Sequence, residues 1–223
     1  MSILKTVDYL RQLRETVLRS VSPIVHNLPH ARKLFSWYSK SKCAPPAPHF
    51  VKQAVLLRHG TKDCAWIETG THIGLTTKLL SSRYREVHTI EPSDKLISIA
   101  KMNLRNASNV VFYHGSSEKY LEIALSSVAG DVCLWLDGHY SGAGTFKGDL
   151  ESPIIFELGL IEKYLHGLKS AVIMIDDIRC SHLDPQNYPS LDFYVQWANR
   201  NNLNWIIEHD SFIAKTKGLP VYP

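Results

Sequence analysis

The sequence contains no hydrophobic run that could cross a lipid bilayer. Its longest uninterrupted apolar stretches, VCLWL at 132–136 and AVIMI at 171–175, are five residues long, whereas a transmembrane helix needs about 20. A secretory signal is also lacking, because Asp8 and scattered charges interrupt the N-terminal residues and no small-residue cleavage site follows them. These absences argue against a helical membrane protein or a secreted one, and we expect a cytoplasmic protein.

Cysteine is scarce, and it does not occur in a metal-binding pattern. The four cysteines, Cys43, Cys64, Cys133 and Cys180, show no C-x-x-C spacing, which argues against a cysteine zinc site. Two of them lie inside apolar, strand-like stretches, where a thiol behaves as a small hydrophobic side chain. We therefore expect four free thiols.

The basic residues are concentrated near the N-terminus. Residues 1–43 contain eight lysines and arginines against two acidic residues, whereas the rest of the chain has 17 basic and 19 acidic residues. Apolar residues of this segment recur at steps of three and four, which predicts an amphipathic helix; they are Ile3, Leu4, Val7, Leu10, Leu13, Val17, Leu18 and Val21. The proline-rich stretch CAPPAPHF then ends the pattern.

The chain is thus divided into two parts. Residues 1–49 are predicted to form a basic amphipathic helical arm with a proline-rich linker, and residues 50–223 a single main domain, because 223 residues are short for two domains of ordinary size. We expect the arm to pack on the main domain or on a second subunit, as a homo-oligomer contact. Peripheral contact with an anionic membrane surface or with nucleic acid is the alternative.

From about residue 50 onward, short apolar stretches alternate with helix-period segments. This alternation predicts an α/β fold with a Rossmann-like parallel sheet. Two final strand-like runs, NWIIEH and SFIAKT, are separated only by a polar turn at Asp210 and predict a terminal antiparallel hairpin. We predict strands near 63–68, 86–90, 109–113, 131–136 and 171–175, and helices near 73–82, 93–105, 117–127, 153–166 and 190–200.

The first candidate binding motif is WIETGTHIGLTT at residues 66–77. It places Glu68 at the end of a strand and turns through Gly70 and Gly74 into a helix. Glycine at such a turn lets the backbone approach a ligand closely, since a Cβ would fill that space. The G-x-G-x-x-G arrangement expected for a nicotinamide or flavin dinucleotide is absent, which disfavours an oxidoreductase.

Two further segments extend the candidate cofactor site. Glu91 follows the second predicted strand, where a carboxylate can accept hydrogen bonds from both hydroxyls of an adenosine ribose. After the third strand, the sequence HGSSEKYL places Ser116 and Ser117 at a helix start. These serines either contact the adenine edge or simply cap the helix.

Acidic residues also follow the fourth and fifth strands. LWLDGHY places Asp137 and His139 after one strand, and VIMIDDIR places Asp176 and Asp177 after the next. In an open parallel sheet these ends meet at one edge, and carboxylates so close need a cation or protons to offset their repulsion. A hard divalent ion such as Mg²⁺ is one solution. In the alternative, one aspartate binds backbone amides and another faces solvent.

Residues 63–216 resemble the class I S-adenosylmethionine-dependent methyltransferases, through ETGTHIG, IEPS, WLDGHYSG, ESP and IDDIR. His72 stands where the commoner motif has a middle glycine. The run is similar to a bacterial branch near the macrocin-type sugar O-methyltransferases. This resemblance implies S-adenosylmethionine bound by Glu68, Gly70, Gly74, Glu91, Ser116 and Ser117, and magnesium bound by Asp137, Asp176 and Asp177.

The resemblance further implies methyl transfer to a hydroxyl of a sugar, glycan or other small metabolite. His139 or a nearby carboxylate such as Asp137 would remove the proton of the acceptor hydroxyl. A nucleic-acid methyltransferase that uses the basic arm is an alternative, but the N-P-P-Y type sequence of adenine amino-group methylation is absent after the fourth strand, so we do not expect nucleic acid as the substrate. A non-catalytic cofactor-binding or assembly protein is the other alternative.

Overall fold

The computed structural model describes residues 29–138 and 152–220. The chain divides into two compact units at the boundary between Val51 and Lys52. In the first unit, helix α1 (Pro29–Ser41) is followed by a segment that folds back on it, since Trp37 Nε1 donates a hydrogen bond of 2.6 Å to the carbonyl oxygen of Ala44. The amphipathic pattern between residues 3 and 21 lies outside the described residues, and the division at residue 49 stays a prediction.

The second unit is built on one sheet of seven strands in the order β3-β2-β1-β4-β5-β7-β6. The first five strands pair in parallel, while β7 is antiparallel to both β5 and β6. The predicted α/β fold with a terminal hairpin is confirmed. The strands are β1 (Ala65–Thr69), β2 (Glu86–Glu91), β3 (Val110–His114), β4 (Asp131–Leu136), β5 (Ser170–Ile175), β6 (Leu203–Glu208) and β7 (Ser211–Thr216).

Helices connect the strands close to the predicted positions. The proline-rich stretch ends earlier than expected, because its last two residues already begin α2. The remaining described helices are α2 (His49–His59), α3 (Leu75–Ser81), α4 (Asp94–Asn103), α5 (Ser117–Ser127), α6 (Ile154–Leu165), α7 (Cys180–Leu183) and α8 (Leu191–Arg200). None of these helices is long and apolar enough to cross a membrane.

Alternate residues of the central strands pack on opposite faces of the sheet. On one face Ile67 and Leu134 lie in a cluster with residues of α5, α6 and α8. On the other face Trp66 and Cys133 lie in a cluster with Leu56 of α2 and Leu80 of α3. Strands covered on both faces are continuously apolar instead of alternating. This explains why β4 and β5 stood out in the sequence. All four cysteines are free, as expected.

The strand register brings the ends of β1, β2, β4 and β5 to one edge of the sheet. Thr69 is paired with Ile90 on one side and with Leu136 on the other, and Leu136 with Ile175. The residues that follow these strands therefore lie next to one another. Gly70 is the tightest point of this edge: its φ is +86°, and a Cβ there would lie 2.3 Å from the carbonyl oxygen of Asp137.

Replacing Gly70 with alanine is expected to lower the free energy of unfolding by about 2–5 kcal/mol. A left-handed conformation costs an L-residue roughly 1–2 kcal/mol, and the overlap with a backbone oxygen forces a shift that costs about 1–3 kcal/mol more. Gly130 is the matched control, since its φ is +81° but a Cβ would meet nothing within 4 Å. Urea unfolding should show a loss of only about 1–2 kcal/mol for Gly130→Ala. Equal losses in the two variants would refute the packing role of Gly70.

Candidate active site

The turn between β1 and α3 is anchored to β2 and shaped by left-handed residues. The backbone amides of Gly70 and Thr71 both donate to the carbonyl oxygen of Ile90, at 3.0 and 3.2 Å. Gly74, with φ of +79°, is the N-cap of α3, and a Cβ there would lie 2.7 Å from Leu104 Cδ1. The two predicted glycines thus meet steric requirements at the sheet edge.

His72 keeps the turn in the shape that a glycine would favour. Its φ is +51°, in the left-handed region that a side chain rarely adopts without compensation. The compensation comes from Glu91, whose Oε2 accepts a hydrogen bond of 2.8 Å from the backbone amide of His72. The backbone conformation therefore persists although the residue type departs from the common motif.

Glu91 links this turn to the end of β2. Besides the His72 amide, it accepts a 3.0 Å hydrogen bond at Oε1 from the backbone amide of Ser93, and it is buried. Each carboxylate oxygen can accept more than one hydrogen bond. Both oxygens thus hold the loop in place and still have capacity to accept bonds from a ligand.

Glu68 lies beneath the turn and not on its surface. Its side chain is buried, and Oε2 accepts hydrogen bonds from Thr77 Oγ1 at 2.5 Å and from Thr89 Oγ1 at 2.7 Å. Burial raises the pKa of Glu68 to about 7, although the two threonine hydroxyls oppose the shift. In the structure Glu68 ties α3 to the sheet, and its predicted contact with a cofactor stays a prediction.

The predicted serines lie where β3 leads into α5. Ser116 is the N-cap residue of α5, but its side chain makes no capping hydrogen bond, and Ser117 is buried at the first helical position. The backbone amide of Gly115 donates to the carbonyl oxygen of Glu91 at 3.1 Å. Both serines thus lie beside the end of β2. Although Ser116 occupies the N-cap position, its side chain does not cap the helix.

The three predicted aspartates are brought together at the ends of β4 and β5. One carboxylate oxygen from each of Asp137, Asp176 and Asp177 lies within 4.8 Å of the others. Asp176 is buried, while the other two are partly exposed. The parallel register accounts for this convergence, because Leu136 and Ile175 are paired immediately before the acids.

A lysine that the sequence analysis missed binds this cluster. Lys52 Nζ lies 2.5 Å from Asp176 Oδ2 and 2.8 Å from Asp177 Oδ1. Burial opposes the charge of this lysine, but the two carboxylates outweigh it and raise the pKa of Lys52. Carboxylate oxygens are ligands that Mg²⁺ prefers, yet two of the three carboxylates already bind an ammonium group. The arrangement as it stands therefore does not fit the predicted magnesium ion.

Arg179 and Asp210 complete the network, and both were missed. Arg179 Nη1 lies 2.6 Å from Asp177 Oδ1 and also binds Asp210 Oδ2. Asp210 was expected in a polar turn, but it is buried and its Oδ1 accepts a 3.0 Å hydrogen bond from the backbone amide of Arg179. The hairpin turn thus supports the loop after β5, in which Asp177 adopts a left-handed φ of +54°.

A small pocket lies beside the cluster, under the start of α6. Its lining includes Gly138, Glu157, Asp176, Tyr188 and Tyr194. Glu157 is a buried acid that no sequence motif had indicated; its position in the first turn of α6, the helix that precedes β5, was the available signal. His139, the predicted base, lies outside the described residues.

The pH dependence of stability should report on Glu68. The folded state keeps the proton up to about pH 7, whereas the unfolded carboxyl has its ordinary pKa of 4.5. The contribution of Glu68 to stability is therefore present below pH 4.5 and is lost as the pH rises through about 7, by about 3 kcal/mol at roughly 1.4 kcal/mol per pKa unit.

Glu68→Gln is expected to remove this fall in the free energy of unfolding, measured by urea titration between pH 4.5 and 8. The amide cannot ionise, so the variant should be more stable than the wild type at pH 8. Glu86→Gln, at the opposite end of β2, is the control and should retain the fall. A wild-type profile that does not fall over this range would show that Glu68 ionises freely in the fold.

Comparison with known proteins gives one match in sequence. The chain matches no family model. It is similar to the ribosomal RNA small subunit methyltransferase A of Syntrophus aciditrophicus (strain SB), with 36% identity over 70 residues, or 31% of this chain and 25% of that protein. The match thus spans about a quarter of the length of this curated relative.

Two solved structures are similar to this chain at low sequence identity. The N-methyltransferase NodS from Bradyrhizobium japonicum WM9 superposes with a TM-score of 0.51 at 14% identity, covering 74% of this chain and 93% of that one. Aeropyrum pernix fibrillarin, solved with natively bound S-adenosyl-L-methionine, gives a TM-score of 0.47 at 10% identity, over 74% and 73% of the two chains. Together with the strand order, the likeness to NodS shows that this chain has a Rossmann-like fold, which it shares with that methyltransferase.

Proposed function

We propose that this chain is an S-adenosylmethionine-dependent O-methyltransferase that acts on a hydroxyl of a sugar, glycan or other small metabolite. One observation supports binding of this cofactor: on a fold shared with methyltransferases, the left-handed turn after β1 is hydrogen-bonded to Glu91 at the end of β2. The acceptor class rests on the carboxylate cluster beside that turn and on the resemblance to sugar O-methyltransferases.

The cofactor is assigned to the edge formed by β1, β2 and β3. Gly70 and Gly74 have no side chain to obstruct the turn, and Glu91 can accept hydrogen bonds from ribose hydroxyls with its remaining lone pairs. Ser116 and Ser117, next to the end of β2, are assigned to the adenine edge. Glu68 supports the turn from below, through its hydrogen bonds to α3 and β2.

The acceptor is assigned to the ends of β4 and β5. S-adenosylmethionine, when bound, would supply the methyl group, which would exchange its bond to sulfur for a bond to the acceptor oxygen and leave S-adenosylhomocysteine. A base on the acceptor side would take the hydroxyl proton. We assign the role of this base to Asp137. The protein contributes chiefly by aligning the hydroxyl with the breaking carbon–sulfur bond. Magnesium enters no step, because Lys52 already binds two of the three carboxylates.

An RNA methyltransferase is the second candidate, supported by the match to a ribosomal RNA methyltransferase and by the basic residues 1–43. The sequence LDGHY after β4 lacks the N-P-P-Y type motif of adenine amino-group transfer, which favours an oxygen acceptor. Incubation with labelled cofactor and either glycans or ribosomal RNA separates the two candidates. Release of no S-adenosylhomocysteine with any acceptor would favour a non-catalytic binding protein.

Glu91→Ala is expected to weaken binding of S-adenosylhomocysteine about tenfold or more. The variant loses charge-assisted hydrogen bonds to the ribose, which contribute on the order of 1.5–3 kcal/mol, and it also releases the His72 amide. Isothermal titration calorimetry measures the effect. Glu86→Ala, at the other end of the same strand, should bind as the wild type does. Unchanged affinity in Glu91→Ala would remove Glu91 from the site.

Asp137→Asn is expected to lower kcat by about 100-fold or more while the affinity for S-adenosylhomocysteine stays near that of the wild type. The amide keeps the shape of the side chain but cannot take the acceptor proton, and general-base catalysis contributes typically 10²–10⁴-fold. Asp131→Asn, at the beginning of β4, is the control and should retain activity. A full kcat in Asp137→Asn would show that another group takes the proton.

A further inference from the structure

We infer that Lys52 is the resident cation of the acidic cluster and that it takes the position of a divalent metal ion between Asp176 and Asp177. The inference deepens the proposed function on its acceptor side and rests on it for the meaning of the cluster. Its test measures cation binding and not methyl transfer, so the two can fail separately.

The geometry of Lys52 supports this assignment. Its ammonium group bridges two different carboxylates, at 2.5 Å from Asp176 Oδ2 and 2.8 Å from Asp177 Oδ1. The side chains are largely withdrawn from solvent, with 16% of Lys52, 1% of Asp176 and 13% of Asp177 exposed. All three residues belong to the same compact unit. This bridge differs from a surface ion pair, which solvent would largely screen.

Lys52 and a divalent ion compete for the same carboxylate groups. A magnesium ion would bind carboxylate oxygens at about 2.0–2.1 Å, and the ammonium group of Lys52 already lies within hydrogen-bonding distance of Asp176 Oδ2 and Asp177 Oδ1. For a metal to bind, Lys52 must be displaced and its charge left beside the metal. Both costs lower the affinity of the cluster for a divalent ion.

The charge balance supports the same conclusion. Two cations contact carboxylates of this network: Lys52 binds Asp176 and Asp177, and Arg179 binds Asp177 and Asp210. Arg179 is shared by Asp177 and Asp210, whereas Lys52 forms an ion pair with the buried Asp176. Removing Lys52 would leave a buried carboxylate without its cation, which a divalent ion could then replace.

The experiment uses the full-length protein, stripped of metal with a chelator, and Mn²⁺ as the probe. Free Mn²⁺ is followed by electron paramagnetic resonance during titration of the wild type, Lys52→Met and Lys169→Met. Methionine keeps a long, unbranched side chain without the charge. Lys169→Met is the matched control: it removes a lysine that lies 2.9 Å from Asp131 Oδ2 near the beginnings of β4 and β5, where its side chain is 76% exposed.

Lys52→Met is expected to gain one Mn²⁺ site that binds about tenfold or more tightly than anything in the wild type or in Lys169→Met. Mn²⁺ should also raise the Tm of Lys52→Met, and Asp177→Asn added to that variant should abolish the gain.

One tight Mn²⁺ site in the wild type that is equally strong in Lys52→Met would overturn the inference. If Lys52→Met folds only poorly, the wild type still decides: a tight site there that Asp176→Asn removes has the same overturning result.

Discussion

The accumulation of negative charge at one edge of the sheet is the constraint on which the rest of this site depends. The parallel register places five carboxylates after or at the ends of four neighbouring strands; they are Glu68, Glu91, Asp137, Asp176 and Asp177. Carboxylates withdrawn from water are costly unless they are protonated, hydrogen-bonded or paired. The structure uses all three solutions: burial favours the protonated form of Glu68, backbone amides bind Glu91, and Lys52 and Arg179 bind the aspartate pair.

The two halves of this sheet edge differ in the groups that bind their carboxylates. On the β1–β2 side, uncharged groups donate hydrogen bonds to Glu68 and Glu91. The bond from the His72 amide to Glu91 holds the left-handed turn in place. On the β4–β5 side, Lys52 and Arg179 bind Asp176 and Asp177, and Asp210 in the hairpin turn binds Arg179. A cationic cofactor sulfur and a neutral hydroxyl acceptor make different electrostatic demands, and the proposed arrangement has one half of the edge for each.

The sequence predicted the elements well and their partners poorly, for a physical reason. The strands and the hairpin are encoded locally, by apolar runs and turns, and the convergence of the acids follows from parallel pairing alone. Lys52 could not be assigned, because it is 124 residues away from Asp176 along the chain and lies in an ordinary helical segment. The turn at Asp210 was predicted correctly, but its ion pair with Arg179 was not, because the sequence does not show that tertiary contact buries this residue. His72 shows the converse, since a residue that departs from the motif still adopts the motif's backbone conformation.

The close approach of Gly70 to the backbone of Asp137 also bears on which substitutions this edge can accept. A Cβ at Gly70 would overlap the carbonyl oxygen of Asp137, so any side chain at position 70 would displace the backbone at the end of β4. Gly138 connects this junction to the pocket wall, since a Cβ there would lie 3.1 Å from Thr69 Cβ and 3.6 Å from Glu157 Oε1. A substitution at Glu157 would therefore act on the pocket and beside the junction at the same time.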